Sequence, residues 1–296
     1  MADTPLITRT DAPLVRALVR AQFPHYAELA VEYADHGWDN TLFRLGDDLA
    51  VRLPNREQAI ETIQREQHWL PQITPQLPTS TPDLVAIGHP TAEFPYPWSI
   101  VKWVPGIIAM PLTLTQRNNC AAELGHALAA LHQPAPHDAP VNPYRGVPLS
   151  HRAGAVQDRL SSPELAPHKD VLLALMDVPD YQGVPLWCHG DVHPGNFVLT
   201  TELGLAGIID FNDLTSGDPA VDLSAGWISF DGEGRSRFFD AYFSRTQLGA
   251  MERDHYIARS HAWAIATFVS SVITASLATP LYKMNARIAL AQVLIG

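Results

Sequence analysis

Between Trp187 and Asp210 the chain sets an aspartate, then an asparagine five residues later, then a second aspartate fourteen residues beyond that. These are Asp191 and Asn196, within Trp187-Cys188-His189-Gly190-Asp191-Val192-His193-Pro194-Gly195-Asn196, and Asp210, closing Ile208-Ile209-Asp210. Pro194-Gly195 demands a turn between the first two. Asn196–Leu199 and Leu205–Ile209 read as a short hairpin through Glu202-Leu203-Gly204. Three oxygen-bearing side chains are therefore confined to two turns joined by a short apolar segment. Phosphoryl transfer from a metal-bound nucleotide needs this set: one carboxylate to orient and deprotonate a hydroxyl, and an amide and a carboxylate to hold Mg²⁺. Asp191 is the candidate general base, and Asn196 and Asp210 are the candidate metal ligands.

His-Gly-Asp-x-x-x-x-Asn, followed by Ile-Asp-Phe-x-Asp-x-x-x-Gly-Asp-Pro-x-x-Asp-Leu, resembles the aminoglycoside phosphotransferase family. These kinase-like enzymes, macrolide phosphotransferases among them, phosphorylate antibiotics and other small hydroxylated molecules. The Asp-to-Asn spacing is that of H-R-D-x-x-x-x-N in protein kinases. The match is dense over residues 187–224 and thin elsewhere. The resemblance implies an α+β, two-lobed protein-kinase-like fold. A small antiparallel-sheet N-lobe with the nucleotide site and hinge would span residues 1–105, and a mainly helical C-lobe with the catalytic loop and acceptor site would span 106–296. It also implies ATP or GTP as phosphoryl donor, His189 as a scaffold residue of the catalytic loop, and Asp222 as a buried acid bonding loop backbone. Asp218 reads as the N-cap of a helix with Pro219 at its first position.

The N-terminal half fits a small sheet with one helix. Thr10–Phe23 reads as an amphipathic helix, and Val31–Tyr33, Thr41–Leu45, Leu49–Leu53, Leu84–Ile87 and Trp98–Val104 read as strands, with a helix over Gln58–Leu70. Kinases pair a strand lysine with a helix glutamate around the nucleotide phosphates. The chain has lysine only at 102, 169 and 283, so Arg52 in the third strand takes that place. Its partner is Glu66, which shares a helix face with Ala59, Ile63 and Leu70. The turn holding Gly37 and Asn40 is a candidate phosphate cover, with a ligand-free hairpin as the equal alternative. The strand Ser99–Val104 resembles the segment linking the lobes. The backbone of Ile100, Lys102 and Val104 would hydrogen-bond a purine edge there, with the side chains of Trp98, Ile100 or Trp103 as walls. No Walker A sequence occurs, which excludes a P-loop.

Helices are expected over Thr115–His132, Arg235–Arg245, Arg253–Ala275 and Lys283–Leu294, and loop over Ala135–Pro148. Asp213, Asp231 and Glu233 are candidate acceptor-binding acids, with Glu252 and Asp254 beside them. Each also reads as an ordinary solvated charge. His193 reads as a satisfied loop histidine, and Tyr256, Trp263 and Phe268 as helix core. The net charge of −11 argues against nucleic acid and is compatible with a cationic acceptor. Met1-Ala2-Asp3-Thr4 has neither a basic region nor an apolar run, and no apolar stretch is long enough to span a membrane. A cytoplasmic protein is expected. The two cysteines, Cys120 and Cys188, have no metal-site spacing. Aminoglycosides, macrolides and metabolite alcohols all remain open as acceptors, as does oligomeric state. Two other classes of reading stand beside the kinase: a kinase-fold binding protein with little activity, motivated by Arg52 in the lysine position, and a hydrolase metal cluster of His189, Asp191, His193 and Asp210.

Overall fold

The computed structural model describes residues 10–295, so Met1–Thr4, read above for a leader, lie outside the described segment. The chain divides into two compact units. One runs to Gln76 and again over Ser80–Pro105, and the other comprises Leu77–Thr79 and the chain from Gly106.

In the first unit, α1 (Ala12–Gln22) starts where Asp11 accepts from the Leu14 N–H at 3.0 Å, a cap worth about 1 kcal/mol. Its buried face is Val15, Leu18 and Val19. Strands β1 (Val31–His36), β2 (Asn40–Leu45) and β3 (Leu49–Pro54) form a meander. α2 (Gln58–Ile73) then leads to β4 (Leu84–Gly88) and β5 (Trp98–Lys102). The sheet is wholly antiparallel in the order β1-β2-β3-β5-β4. Strand alternation sends Phe43, Leu45, Val51, Leu53, Trp98 and Ile100 into one core with the apolar face of α1. The sequence predicts the end of α2 at Leu70 because Pro71 follows, yet the helix continues to Ile73 with Pro71 inside it. A proline in the last turn removes one backbone bond, and burial of Ile73 outweighs that loss.

The second unit runs β6 (Ile107–Ile108), α3 (Leu114–Arg117), α4 (Ala121–Leu131), α5 (Ala153–Leu160) and α6 (Lys169–Met176). Next come β7 (Leu186–Cys188), β8 (Phe197–Leu199), β9 (Leu205–Ile208) and β10 (Thr215–Gly217). Helices α7 (Ala220–Leu223), α8 (Ala225–Ser229), α9 (Gly232–Phe243), α10 (Ala250–Ala264), α11 (Ser270–Thr274) and α12 (Pro280–Ile295) complete it. Two small antiparallel sheets, β6-β8-β9 and β10-β7, flank the catalytic-loop sequence. Helix α4 packs tightly on α9, where a Cβ on Gly125 would lie 2.4 Å from the Phe238 carbonyl oxygen.

Four expected helices differ, of which Lys283–Leu294 simply begins earlier, at Pro280. Thr115–His132 is broken by a 3-10 turn at Asn118–Cys120, where the Asn118 side chain turns to Asp231. Arg235–Arg245 begins earlier, at Gly232, because Asp231 caps it. Arg253–Ala275 becomes α10, a π turn over Ile265–Val269, and α11. Helices α5 and α6 have no counterpart in the sequence reading. Each is eight residues long, with buried positions limited to Val156 and Leu160 in one and Leu172 in the other, too few for a periodic signal.

Candidate active site

The loop after β7 is built around Asp222. Its Oδ2 accepts from the His189 backbone N–H at 2.7 Å and its Oδ1 from the Gly190 N–H at 2.7 Å. His132 Nε2 donates to Oδ2 at 3.1 Å, and the Tyr242 hydroxyl donates to His132 Nδ1 at 2.8 Å. This network orients the carboxylate from behind. His132, Cys188 and Asp222 lie close enough to suggest a metal group. Both Asp222 oxygens are already committed to N–H donors, however, and burial pushes the Cys188 thiol well above its ordinary pKa, so the cluster is structural. Gly190 has φ +89°, and a Cβ there would lie 2.3 Å from the Asp213 carbonyl oxygen. That close approach aims the next residue, Asp191, out of the loop.

His189 is fixed in one tautomer. Its Nε2–H donates to the Ile209 carbonyl at 2.9 Å, while Nδ1 accepts from the Asp191 N–H at 3.2 Å. The bond ties the loop to the end of β9, next to Asp210. Asn196 makes the second tie: its Nδ2 donates to the Asp191 carbonyl at 2.9 Å, and its own carbonyl accepts from the Ile209 N–H at 2.9 Å. With the amide nitrogen turned toward Asp191, the amide oxygen is the donor atom left to a cation. Asp210 adopts φ +64°, ψ +71°, a left-handed conformation uncommon for a residue with a side chain. Asn196 and Asp210 thus supply hard oxygen donors only, a set that fits Mg²⁺ and not a soft metal.

The Asp191 carboxylate has two cationic or proton-bearing neighbours. Arg145 Nη2 lies 3.2 Å from Oδ1, and His193 Nε2 lies 3.4 Å from Oδ2. Arg145 also reaches Asp213 Oδ2 at 3.4 Å, and Asn142 Nδ2 donates to Asp213 Oδ1 at 2.6 Å. Burial alone would raise the Asp191 pKa, but Arg145, His193 and His189 outweigh it and hold the carboxyl well below the usual range. Asp213 moves the other way: burial and the neighbouring Asp191 charge raise it despite Arg145. The two acids are therefore pushed apart, Asp191 downward and Asp213 upward. His193 is 6% exposed, packs at a tilt against Phe268 (5.0 Å) and edge-to-face against Tyr282 (5.7 Å), and accepts the Gly195 N–H on Nδ1. It is a satisfied loop histidine, as expected, but a buried one beside the base.

In the first unit, Arg52 Nη1 lies 3.0 and 2.8 Å from the two Glu66 oxygens, and both side chains are buried. One nitrogen straddles the carboxylate, as a lysine ammonium would. Gly37 donates to the Asn40 carbonyl at 2.9 Å, so both belong to the β1–β2 hairpin turn. Asp39 in that turn pairs with Arg56 beyond β3.

Several expected site residues are differently employed. Ile100 and Trp98 are core residues facing α1, so their side chains wall no ligand. The Lys102 ammonium pairs with Asp83 at 3.0 Å in an exposed setting. Val104 is buried. Asp231 is the N-cap of α9, accepting from the Glu233 and Gly234 N–H groups. Glu233 is 79% exposed and pairs with Arg237 one turn on. Asp218 is not the N-cap of α7, a place Pro219 takes. It is buried, accepts from Ala220 N–H, Arg259 Nε (3.0 Å) and Trp263 Nε1 (3.2 Å), and anchors α10. Arg145 and Asn142 escape the sequence reading because they lie in a proline-rich loop with no periodicity. That loop is pinned to β10, through Ser216 N–H to the Pro140 carbonyl and Asn142 N–H to Thr215 Oγ1 (both 2.8 Å).

A family model described as the phosphotransferase enzyme family matches residues 30–256. No curated protein sequence matches the chain. Among solved structures, the GDP complex of aminoglycoside 2'-phosphotransferase-IIIa is 17% identical, with 97% of this chain and 99% of that chain covered and a TM-score of 0.71. The macrolide 2'-phosphotransferase MphH of Brachybacterium faecium is 19% identical over 93% and 97% of the two chains, with a TM-score of 0.61. A streptomycin–ATP complex of APH(2")-IIa is 16% identical over 96% and 97%, with a TM-score of 0.57. The small antiparallel sheet and helical unit described above are the kinase-like fold of these proteins. Family match and fold agree: the chain belongs to the phosphotransferase enzyme family.

Proposed function

We propose that this chain is a small-molecule O-phosphotransferase that moves the γ-phosphate of ATP or GTP to an acceptor hydroxyl. The observation that carries the reading is the ionised Asp191 carboxylate, joined through the Asn196 amide to the turn that holds Asp210. In the reaction, Asp191 accepts the proton of the acceptor hydroxyl as its oxygen attacks the γ-phosphorus. The bond from that phosphorus to the bridging oxygen breaks, and the nucleoside diphosphate leaves. Asn196 and Asp210 would hold Mg²⁺, which when bound neutralises the phosphate oxygens. The Arg52–Glu66 pair presents a fixed cation of the kind kinases use on the donor phosphates. A nucleoside triphosphate donor supports the cytoplasmic reading.

The test is a nucleotide-consumption assay on the purified protein with Mg²⁺. ATP and GTP are offered against aminoglycosides, macrolides and metabolite alcohols. Acceptor-stimulated diphosphate release, abolished by EDTA, is the expected result. Absence of any Mg²⁺-dependent stabilisation by either nucleotide would overturn the reading.

A further inference from the structure

Arg145 bonds the base, and two further guanidinium groups, Arg152 and Arg159, lie near Arg145. Arg145 lies on the loop ahead of α5, Arg152 ends the 3-10 turn Leu149–Arg152, and Arg159 is on α5. Arg145 is partnered by Asp191 and Asp213. Arg152 is 7% exposed, and its guanidinium lies over the face of the Tyr144 ring at 5.3 Å. Among the described residues no carboxylate or carbonyl accepts from the Arg152 or Arg159 side chain. Arg145 Nε, Arg152 Nε and Arg159 Nη1 are all enclosed without a hydrogen-bond partner. Burial lowers the basicity of Arg152 and Arg159, and the mutual repulsion of the three groups lowers it further. Other enclosed arginines have a structural use: Arg117 donates to the Ala109 and Met110 carbonyls, and Arg259 pairs with Asp218. Helix α5 packs on the π turn that carries Phe268, and the Phe268 ring packs against His193 beside Asp191. The cluster is thus continuous with the catalytic loop.

Like charges brought together in a buried place cost folding energy and gain nothing from one another. An oxyanion removes that cost, and the planar guanidinium fork matches it in geometry. We propose that Arg145, Arg152 and Arg159 form an anion subsite next to Asp191, so that the acceptor is a hydroxylated small molecule carrying a carboxylate or phosphate group. The inference rests on Asp191 as base and narrows the acceptor of the same site. Arg152 and Arg159 take the anion, since Arg145 is already neutralised by two aspartates. A polycationic acceptor meets local repulsion here, and the local field outweighs the acidic net charge of the whole chain.

The experiment is thermal unfolding of the full chain with Mg²⁺ and a non-hydrolysable ATP analogue saturating the donor site. Inorganic phosphate or acetate is titrated in, with chloride at matched ionic strength as control. Saturable stabilisation by phosphate is expected for the native chain, weakened at least tenfold in apparent affinity in Arg159→Gln and retained in part in Arg159→Lys. An equal effect of acetate assigns a general oxyanion site; an effect of phosphate alone assigns a phosphate site. No stabilisation of the native chain by either anion, or an equal effect in Arg159→Gln, would overturn the subsite. Because the native chain carries the primary readout, a variant that fails to fold leaves the test intact. A nucleotide shift without an anion shift rejects the subsite and leaves the phosphotransferase reading standing. An anion shift without any nucleotide effect does the reverse.

Discussion

Asp191 owes its charge state to a few side chains, and Arg145 is the largest stabilising one. An unfolded aspartate titrates near 3.9. A carboxyl depressed below that adds stability at any pH above about 4 and loses it as pH falls through the folded value. Arg145→Ala removes the principal counter-charge and raises the folded value. The acid limb of the kcat/KM profile should then move to higher pH, with activity near pH 5 falling more than activity near pH 8. A pH–rate profile of the variant beside the native chain checks this, and coincident acid limbs would contradict it. Asp210 can be separated from the fold in the same spirit. Asparagine tolerates the left-handed conformation that Asp210 adopts. Asp210→Asn should therefore keep its melting temperature while the Mg²⁺ concentration needed for half-maximal activity rises on the order of tenfold or more, because a charged oxygen ligand is lost.

At the scale of elements, β3 and α2 are joined by a buried ion pair. Arg52→Ala leaves Glu66 buried without its cation, at a cost of about 3–5 kcal/mol. The double change Arg52→Leu with Glu66→Leu should recover much of that loss in urea unfolding; equal losses in single and double variants would sink the explanation. Gly190→Ala should cost about 1–3 kcal/mol from its backbone alone, and more from the contact with the Asp213 carbonyl, since φ there is +89°. Both sites bear on what was legible in the chain. Glu66 could be chosen over Glu61 by helical periodicity alone, and the Asp191–Asn196–Asp210 spacing survives into space because two tight turns and a hairpin leave little freedom. Ile100 could not be placed, because alternation does not say which sheet face is core until α1 is seen to cover it. Asp231 and Glu233 were unreadable as acceptor ligands because a helix cap and a surface ion pair use the same residues. Arg145 had no local signal, since its position depends on hydrogen bonds from a proline-rich loop to β10, more than seventy residues away in sequence.

For the whole molecule, the balance of charge is acidic while Arg145 lies against the base, and on the proposed anion subsite acceptor preference would follow this local field and not net charge. No described helix is long and apolar enough to cross a membrane. A ligand that binds only the folded chain stabilises it by about 2.7 kcal/mol at a hundred times its Kd. Mg²⁺ with the correct nucleoside triphosphate should therefore raise the melting temperature by several degrees, and the better of ATP and GTP can be read from the same titration. The central claim is that Asp191 is the base for transfer of a γ-phosphate. Its most direct test compares diphosphate release by the native chain and by Asp191→Asn, with Mg²⁺, nucleotide and the acceptor panel. The rate should fall by about two to four orders of magnitude in the variant, with nucleotide affinity within a few-fold of native. Turnover by Asp191→Asn close to that of the native chain would contradict the claim.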